Sequence, residues 1–392
     1  MQFNFQIFIP LPLKILLLNT PKRILICPLD WGLGHASRCI PIIRDLTAAG
    51  FEVVIAADRA PFDLLSKEFP LLERLRFPAY KISYKYSMPL NMLISLPRIL
   101  LGINKEHKLL AQIIRNCKID LVISDNRFGL WNANIPCVFI THQLMIKCPP
   151  YLRFLEKTLH QINMRFVKKY SQTWVPDFQG TMNLSGDLSH RFPLVKNTFF
   201  IGPLSRFANM RDEIMPIEKF DVLIILSGPE PQRTIFENIL LKQLTPLTNL
   251  KTIILRGLPL NKDSIACPAH VKIFPHLDSK NLFAFMNAAT LIISRSGYSS
   301  IMDFAAIGKN TILVPTPGQT EQEYLAEVLK ENKMAYSVSQ NKFEMKTALH
   351  EAMKYQGIPK INLDDAQKPH NILSLVNEML SVSSKHSKIE TF

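Results

Sequence analysis

The sequence predicts an α/β protein built from two parallel, doubly wound sheets, and three observations carry that prediction. Short apolar runs alternate with helical patterns along both halves, the grammar of parallel sheets covered on both faces. A chain of 392 residues is long enough for two such domains, each with its own core. Between them, residues 202–216 carry prolines and polar residues without periodicity, which marks a linker over 204–216. Ligands of open parallel sheets sit beyond the carboxyl ends of the strands, so the two domains are expected to face each other across a cleft.

The elements follow in order. Residues 1–20 are apolar but lack a basic leader and a small-residue cleavage site. Pro10, Pro12 and Lys14 interrupt the run, so it is a poor signal peptide and a poor membrane span. Folded sequence is expected from Pro21, giving a first domain over 21–203. Its strands are expected at 23–27, 51–56, 120–124, 137–141 and 173–175, with a helix over 36–49 closed by Gly50. Two basic stretches, 88–118 and 145–170, mix apolar runs with lysine and arginine in the manner of amphipathic helices that rest on anionic headgroups. A core-facing helix with a solvated basic face explains them equally simply. The second domain, 217–365, is expected to hold strands at 220–226, 251–255, 270–274, 291–293 and 311–314. A short helix over 299–307 stops at Gly308, and a modest amphipathic helix over 371–382 lies in the closing segment 366–392.

Composition narrows the function. Hydrophobic residues make up 47% and charged residues 20%, which excludes a disordered chain. The six cysteines (27, 39, 117, 137, 148, 267) form no C-x-x-C pair and no metal-ligand spacing, as expected of reduced thiols in a cytoplasmic protein. Up to Pro203 there are 25 Lys and Arg against 13 Asp and Glu, and from Leu204 onward 21 against 19. The first half therefore meets something anionic. It carries no nucleic-acid module, and its basic residues sit among apolar runs, so a membrane surface is the expected partner and nucleic acid is not.

Four sets of residues carry chemistry. In Leu291–Leu325 a strand breaks into Ser294-Arg295-Ser296-Gly297 and a helix starts at once. Such a helix start presents unpaired N–H groups and a positive dipole end, the usual cradle for a phosphate. Asp303 falls one turn inside that helix and could reach a hydroxyl pair beside the phosphate; it could equally be a solvated helix residue. The first glycine turn, Leu29 to His35, lets the backbone approach a ligand at Gly32 and Gly34. It places His35 at a helix mouth, either as a base or as an ordinary cap. In the matching turn of the second half, Ser227, the amides near Gly228 and Arg233 could face a phosphate, or Arg233 could pair with Glu230 in solvent. Finally, Thr320 and Glu323 read as a capping box, which leaves the Gln322 amide as the better hydroxyl binder.

The SRSG…(helix)…D…G…VP…Q-x-x-Y pattern, together with the early G-x-G-H turn, resembles two-domain GT-B glycosyltransferases, in particular the glycosyltransferase family 28 group. That resemblance implies two Rossmann-like domains, the second binding a nucleotide-sugar donor, most often a uridine diphosphate sugar. It implies that Asp303 binds ribose, where the family usually has glutamate. Ser296 and Gly297 would lie at the diphosphate, residues Phe274 to Leu277, including His276, at the base, and Gln322 and Glu323 at the sugar. His35 would match the histidine of the family's first glycine-rich turn. Thr141 and His142 would fall near the acceptor; Asp125, Asn126 and Arg127, after another strand end, are further acceptor-side candidates. The expected reaction is an inverting transfer without a metal or cofactor, from a nucleotide diphosphate sugar to a lipid-linked or glycan acceptor. The expected place is the cytoplasm or the inner face of the membrane. A nucleotide-sugar 2-epimerase, a glycolipid disaccharide synthase and a non-catalytic nucleotide-sugar sensor are the alternatives.

Overall fold

The computed structural model describes residues 20–78, 88–208, 210, 217–258, 265–360 and 369–389. The apolar opening run to residue 19 and residues 211–216 of the expected linker lie outside that set.

In the first domain β1 (Arg23–Pro28), β2 (Glu52–Ala57), β3 (Glu73–Arg76), β4 (Leu121–Asp125), β5 (Cys137–Ile140), β6 (Gln172–Val175) and β7 (Thr198–Phe200) form one sheet. Its order is β3-β2-β1-β4-β5-β6-β7, and every pairing is parallel. Between the strands run α1 (Leu33–Ala48), α2 (Arg59–Glu68), α3 (Met88–Cys117), α4 (Glu156–Val167) and the single turn α5 (Asp187–His190). Strand parity sorts the layers. Ile24, Ile26, Leu121 and Ile123 face α1, whereas Leu25, Cys27 and Val122 face α3.

The second sheet contains β8 (Phe220–Ile225), β9 (Thr252–Leu255), β10 (Val271–Phe274), β11 (Ala289–Ser294), β12 (Thr311–Leu313) and β13 (Tyr336–Ser337). Its order is β10-β9-β8-β11-β12-β13, again all parallel. The helices are α6 (Gln232–Leu244), α7 (Ser279–Ala288), α8 (Tyr298–Ile307), α9 (Thr320–Glu331) and α10 (Met345–Ala352). Helix α8 ends where Gly308 takes φ +76°, a left-handed stop that only glycine accepts cheaply.

The chain then returns to the first domain. The His370 N–H donates to the Phe200 carbonyl at 2.9 Å. Helix α11 (Ile372–Ile389) follows and buries Leu375 and Val376 in the cluster that holds α1. That cluster also contains Leu223, Ile292 and Phe304, so the two domains share one continuous apolar core.

Three expectations shift. Helix α1 begins at Leu33, not 36, which puts Gly34 and His35 inside its first turn. The stretch 88–117 is one continuous helix that contains Pro97, whereas 145–170 divides into a short 3-10 helix (Pro150–Leu155) and α4. Strands β3, β7 and β13 and helix α2 were not visible in the sequence pattern. The strands are short, and β3 is mostly exposed, so none shows a buried run.

Candidate active site

Each sheet reverses its strand order once, between β1 and β4 and between β8 and β11. Such a switch point opens a crevice at the carboxyl edge. The first crevice holds His35, after β1, and Asp125, the last residue of β4. The second holds Ser227-Gly228, after β8, and Ser296-Gly297, after β11. The crevices face each other: the Ser299 hydroxyl, in the first turn of α8, donates to the Gly34 carbonyl at 2.9 Å.

The first-domain half is built around Asp125. Its parity matches that of Leu121 and Ile123, so its carboxylate points toward α1. There it meets two residues three apart on one helical face, His35 and Arg38. Arg38 Nε donates to Asp125 at 2.6 Å, and its Nη2 donates to the other carboxylate oxygen. His35 Nδ1 lies 3.0 Å from the same oxygen and 3.0 Å from Arg38 Nη2. Because the ionised carboxylate can only accept, the imidazole donates from Nδ1 to Asp125 and keeps Nε2 as the free acceptor. Burial alone would raise the Asp125 carboxyl; Arg38 and His35 overcome it and hold the group well below the usual carboxylate range. Asp125 and Arg38 are closed off from solvent, whereas the His35 side chain keeps 19% of its surface. The arrangement is an imidazole whose back is fixed and whose front is open.

His142 extends this network across the domains. It accepts from Arg38 Nη1 at 3.0 Å and donates through Nε2 to Glu321 at 2.8 Å. Its ring stacks on Tyr298 with centroids 4.1 Å apart and planes 5° from parallel. Burial, reinforced by the neighbouring Arg38 and His35, pushes this imidazole below its ordinary value despite Glu321, so it is neutral at pH 7. Gln143 also donates to Glu321. Thr141 turns inward, accepting from the Gln143 N–H at 3.0 Å.

In the second domain Gly297 caps α8, and a Cβ placed there would meet nothing within 4 Å. Space for a phosphate therefore lies beside the first-turn amides. Ser296 donates to the Gln322 carbonyl at 2.7 Å, tying the start of α8 to α9. Gly228 takes φ +101° beside Thr316, whose hydroxyl is buried without a partner. Asp303 is buried, and both its oxygens are taken by the segment joining the domains: Ser205 donates at 2.8 Å and Arg206 Nε at 3.2 Å. Phe274 packs edge-on against Phe285. His276, on the loop beyond it, is pushed down to about 4 by burial and by the Arg206 and Lys67 cations.

Several expected residues are placed elsewhere. Arg295 shares the parity of Leu291 and Ile293 and so projects to the α6 side of the sheet. There its guanidinium donates to the carbonyls of Val314 and Gln232 and to the Gln340 side chain, over the Phe236 ring. It holds loops together and does not face the cleft. Arg233 does form the pair with Glu230 that the sequence allowed, with Glu230 exposed, but its guanidinium is buried and held also by Glu237, so it is not a free phosphate ligand. Arg127 is fully buried against Glu106 and the carbonyls of Phe77 and Pro78, so it offers nothing to an acceptor. Asn126 takes φ +56° to turn the chain out of β4.

The capping box does not form either. Thr320 donates instead to the Lys147 carbonyl of the first domain, and Glu323 accepts from the Gly318 N–H. The Gln322 amide accepts from Thr316 N and donates to Gln319, which supports the loop. Sequence reasoning passed over Arg38, Arg206, Tyr298 and Glu321. Of these only Arg38 left a signal, its i+3 spacing from His35.

Known proteins share this fold. Residues 249–369 match the model of the Glycosyltransferase family 28 C-terminal domain. A glycosyltransferase of uncharacterized specificity from Methanosarcina mazei is 24% identical over 319 residues, spanning 76% of this chain and 81% of that protein. The UDP-N-acetylglucosamine--N-acetylmuramyl-(pentapeptide) pyrophosphoryl-undecaprenol N-acetylglucosamine transferase of Listeria monocytogenes is 22% identical over 377 residues, 89% of this chain and 96% of that one. Among solved structures the kitacinnamycin glycosyltransferase superposes with a TM-score of 0.61 at 16% identity, covering 94% and 95% of the two chains. The fold is that of the GT-B glycosyltransferases, and the family-domain match and these relatives make the chain a glycosyltransferase. Its second domain carries the family 28 signature.

Proposed function

We propose that this enzyme transfers a sugar, with inversion and without a metal ion, from a nucleotide diphosphate sugar to a hydroxyl of a lipid-linked or glycan acceptor at an anionic membrane surface. The donor is a uridine diphosphate N-acetylhexosamine or hexose. The reading rests on one observation above all: an oriented His35–Asp125 pair at one switch point, directly opposite a helix start at the other.

The chemistry follows from that placement. The acceptor oxygen attacks the anomeric carbon from the His35 side, and its proton passes to Nε2. The bond from that carbon to the phosphate oxygen breaks, and its electron pair leaves with the nucleoside diphosphate. Asp125 stabilises the imidazolium as it forms. The growing charge on the leaving group meets the first-turn amides of α8 and the Ser227–Gly228 loop. Arg206, beside Asp303, is the cation at the ribose end.

The acceptor side suits a membrane surface. On the 3-10 turn and α4, Tyr151 is 70% exposed and Phe154 75% exposed, beside the exposed cations Arg153, Lys157 and Arg165. On α3 Leu101 is exposed among Arg98, Lys105 and Lys108. Apolar tips within a basic field are what an interfacial contact uses. Among the described residues no helix is long and apolar enough to cross a membrane.

The test is nucleoside diphosphate release from uridine diphosphate sugars, with and without a membrane extract, in buffer and in EDTA. Extract-dependent, EDTA-resistant release is expected. Sugar isomerisation without acceptor would identify an epimerase, and tight binding without turnover a sensor; either refutes the reading.

A further inference from the structure

Asp30 lies in the turn between β1 and the glycine pair, and the mechanism above does not use it. Its side chain is 1% exposed, and both carboxylate oxygens are enclosed without a hydrogen-bond partner. Its ion partner is Arg59 Nη1 at 3.7 Å, too far for a hydrogen bond. Burial pushes the carboxyl up, and Arg127 and Arg59 offset part of that rise. A buried polar group left unpaired is costly and calls for an explanation.

Position supplies one. Asp30 sits at the carboxyl edge of the first sheet, between the ends of β1, β2 and β4. Gly32, two residues on, has open space beside it. His35 follows on the same turn, whereas the donor cradle belongs to the other domain. Given the transferase reading, on which this inference rests, a group approaching Asp30 is the acceptor. Two free acceptor oxygens match two neighbouring hydroxyl donors. A phosphate or carboxylate has no proton to give these oxygens and would set its own charge against theirs, whereas hydroxyls donate to them.

We propose that Asp30 holds a vicinal diol of the acceptor, so that a sugar or polyol, not a bare phosphate, is presented to His35. The full chain is incubated with UDP-N-acetylglucosamine and a membrane lipid extract. Half of the extract is first cleaved at its vicinal diols with periodate and reduced. Native extract is expected to stimulate UDP release and oxidised extract to fail. Asp30→Ala raises the extract concentration for half-maximal release at least tenfold while changing the maximal rate less. Asp30→Asn, which keeps one acceptor oxygen, falls between. Protection of each variant by UDP-N-acetylglucosamine against heating shows that it is folded and binds donor. The proposal is overturned if oxidised extract works as well as native, if native extract stimulates nothing, or if Asp30→Ala saturates where the wild type does. Failure of the wild type to be protected by any nucleotide sugar overturns the transferase reading itself.

Discussion

Replacing Asp125 by asparagine separates a catalytic arrangement from a merely structural one. The side chain is fully buried and receives two donors from Arg38 and one from His35. Asparagine keeps the size but removes the charge and turns one oxygen into a donor. That amide then faces either a guanidinium N–H or the imidazole N–H, and Arg38 is left as an uncompensated buried cation. Breaking a buried pair in this way costs about 3–5 kcal/mol. A domain stability of about 5–15 kcal/mol leaves most molecules folded, so turnover is measurable. Loss of an oriented base predicts a fall in kcat of about 10²–10⁴-fold. The proposed donor site lies in the other domain, so donor binding is expected to be unchanged by calorimetry.

The pH dependence carries a sign of its own. The folded-state carboxyl is depressed by Arg38 and His35, so its stabilisation is complete above the unfolded value of about 3.9 and is lost as pH falls below that. The asparagine variant therefore has a flatter acid limb below about pH 4 in urea titrations. A variant with near wild-type kcat and an unchanged urea midpoint would refute the assignment of Asp125 to His35.

Four further outcomes are expected. Asp303→Ala abolishes most of the heat protection given by a nucleotide sugar, which at 100 Kd is about 2.7 kcal/mol, whereas His35→Ala retains protection and loses turnover; the reverse pattern exchanges their roles. Gly257→Ala lowers the unfolding free energy by roughly 1–3 kcal/mol, read as a lower urea midpoint, since φ is +68° and the new Cβ would clash with the Leu226 carbonyl oxygen. An unchanged midpoint would show that the loop yields. His276, depressed to about 4, is neutral when folded, so it stabilises above about pH 6.5 and that contribution fades as pH falls toward 4; His276→Gln should flatten that window. Tyr151→Ser with Phe154→Ser should reduce co-sedimentation with vesicles of anionic phospholipid, more so at high salt, where the basic field is screened. Unaltered binding would place the membrane contact elsewhere.

What the sequence disclosed and what it hid follow from the range of the forces involved. The alternation of buried strands and helices is local, as are the glycine turn before α1 and the helix start after β11, so the two sheets and the facing crevices were legible. Arginine roles were not. Arg295 stands next to a phosphate-type turn, yet strand parity carries it with Leu291 and Ile293 to the far face. Arg38, with no motif of its own, lies on the helical face that Asp125 approaches from β4. Each outcome depends on which face of a sheet a neighbouring helix covers, and that is fixed only when distant segments pack.

The same argument explains why Asp303 and Glu321 are engaged across the domain boundary. The Asp303 carboxylate is held by Ser205 and Arg206 of the joining segment, and Glu321 by His142 and Gln143 of the first domain. Two acidic residues at the proposed donor site are thus satisfied by residues brought up from outside their own domain. On the proposed reading, a nucleotide sugar whose ribose hydroxyls donate to Asp303 must displace or share Ser205 and Arg206, which couples donor binding to the position of the joining segment. Arg206 released from Asp303 would stand free at the proposed ribose end of the donor. One exchange of partners thereby frees both the ribose acceptor and the cation beside it.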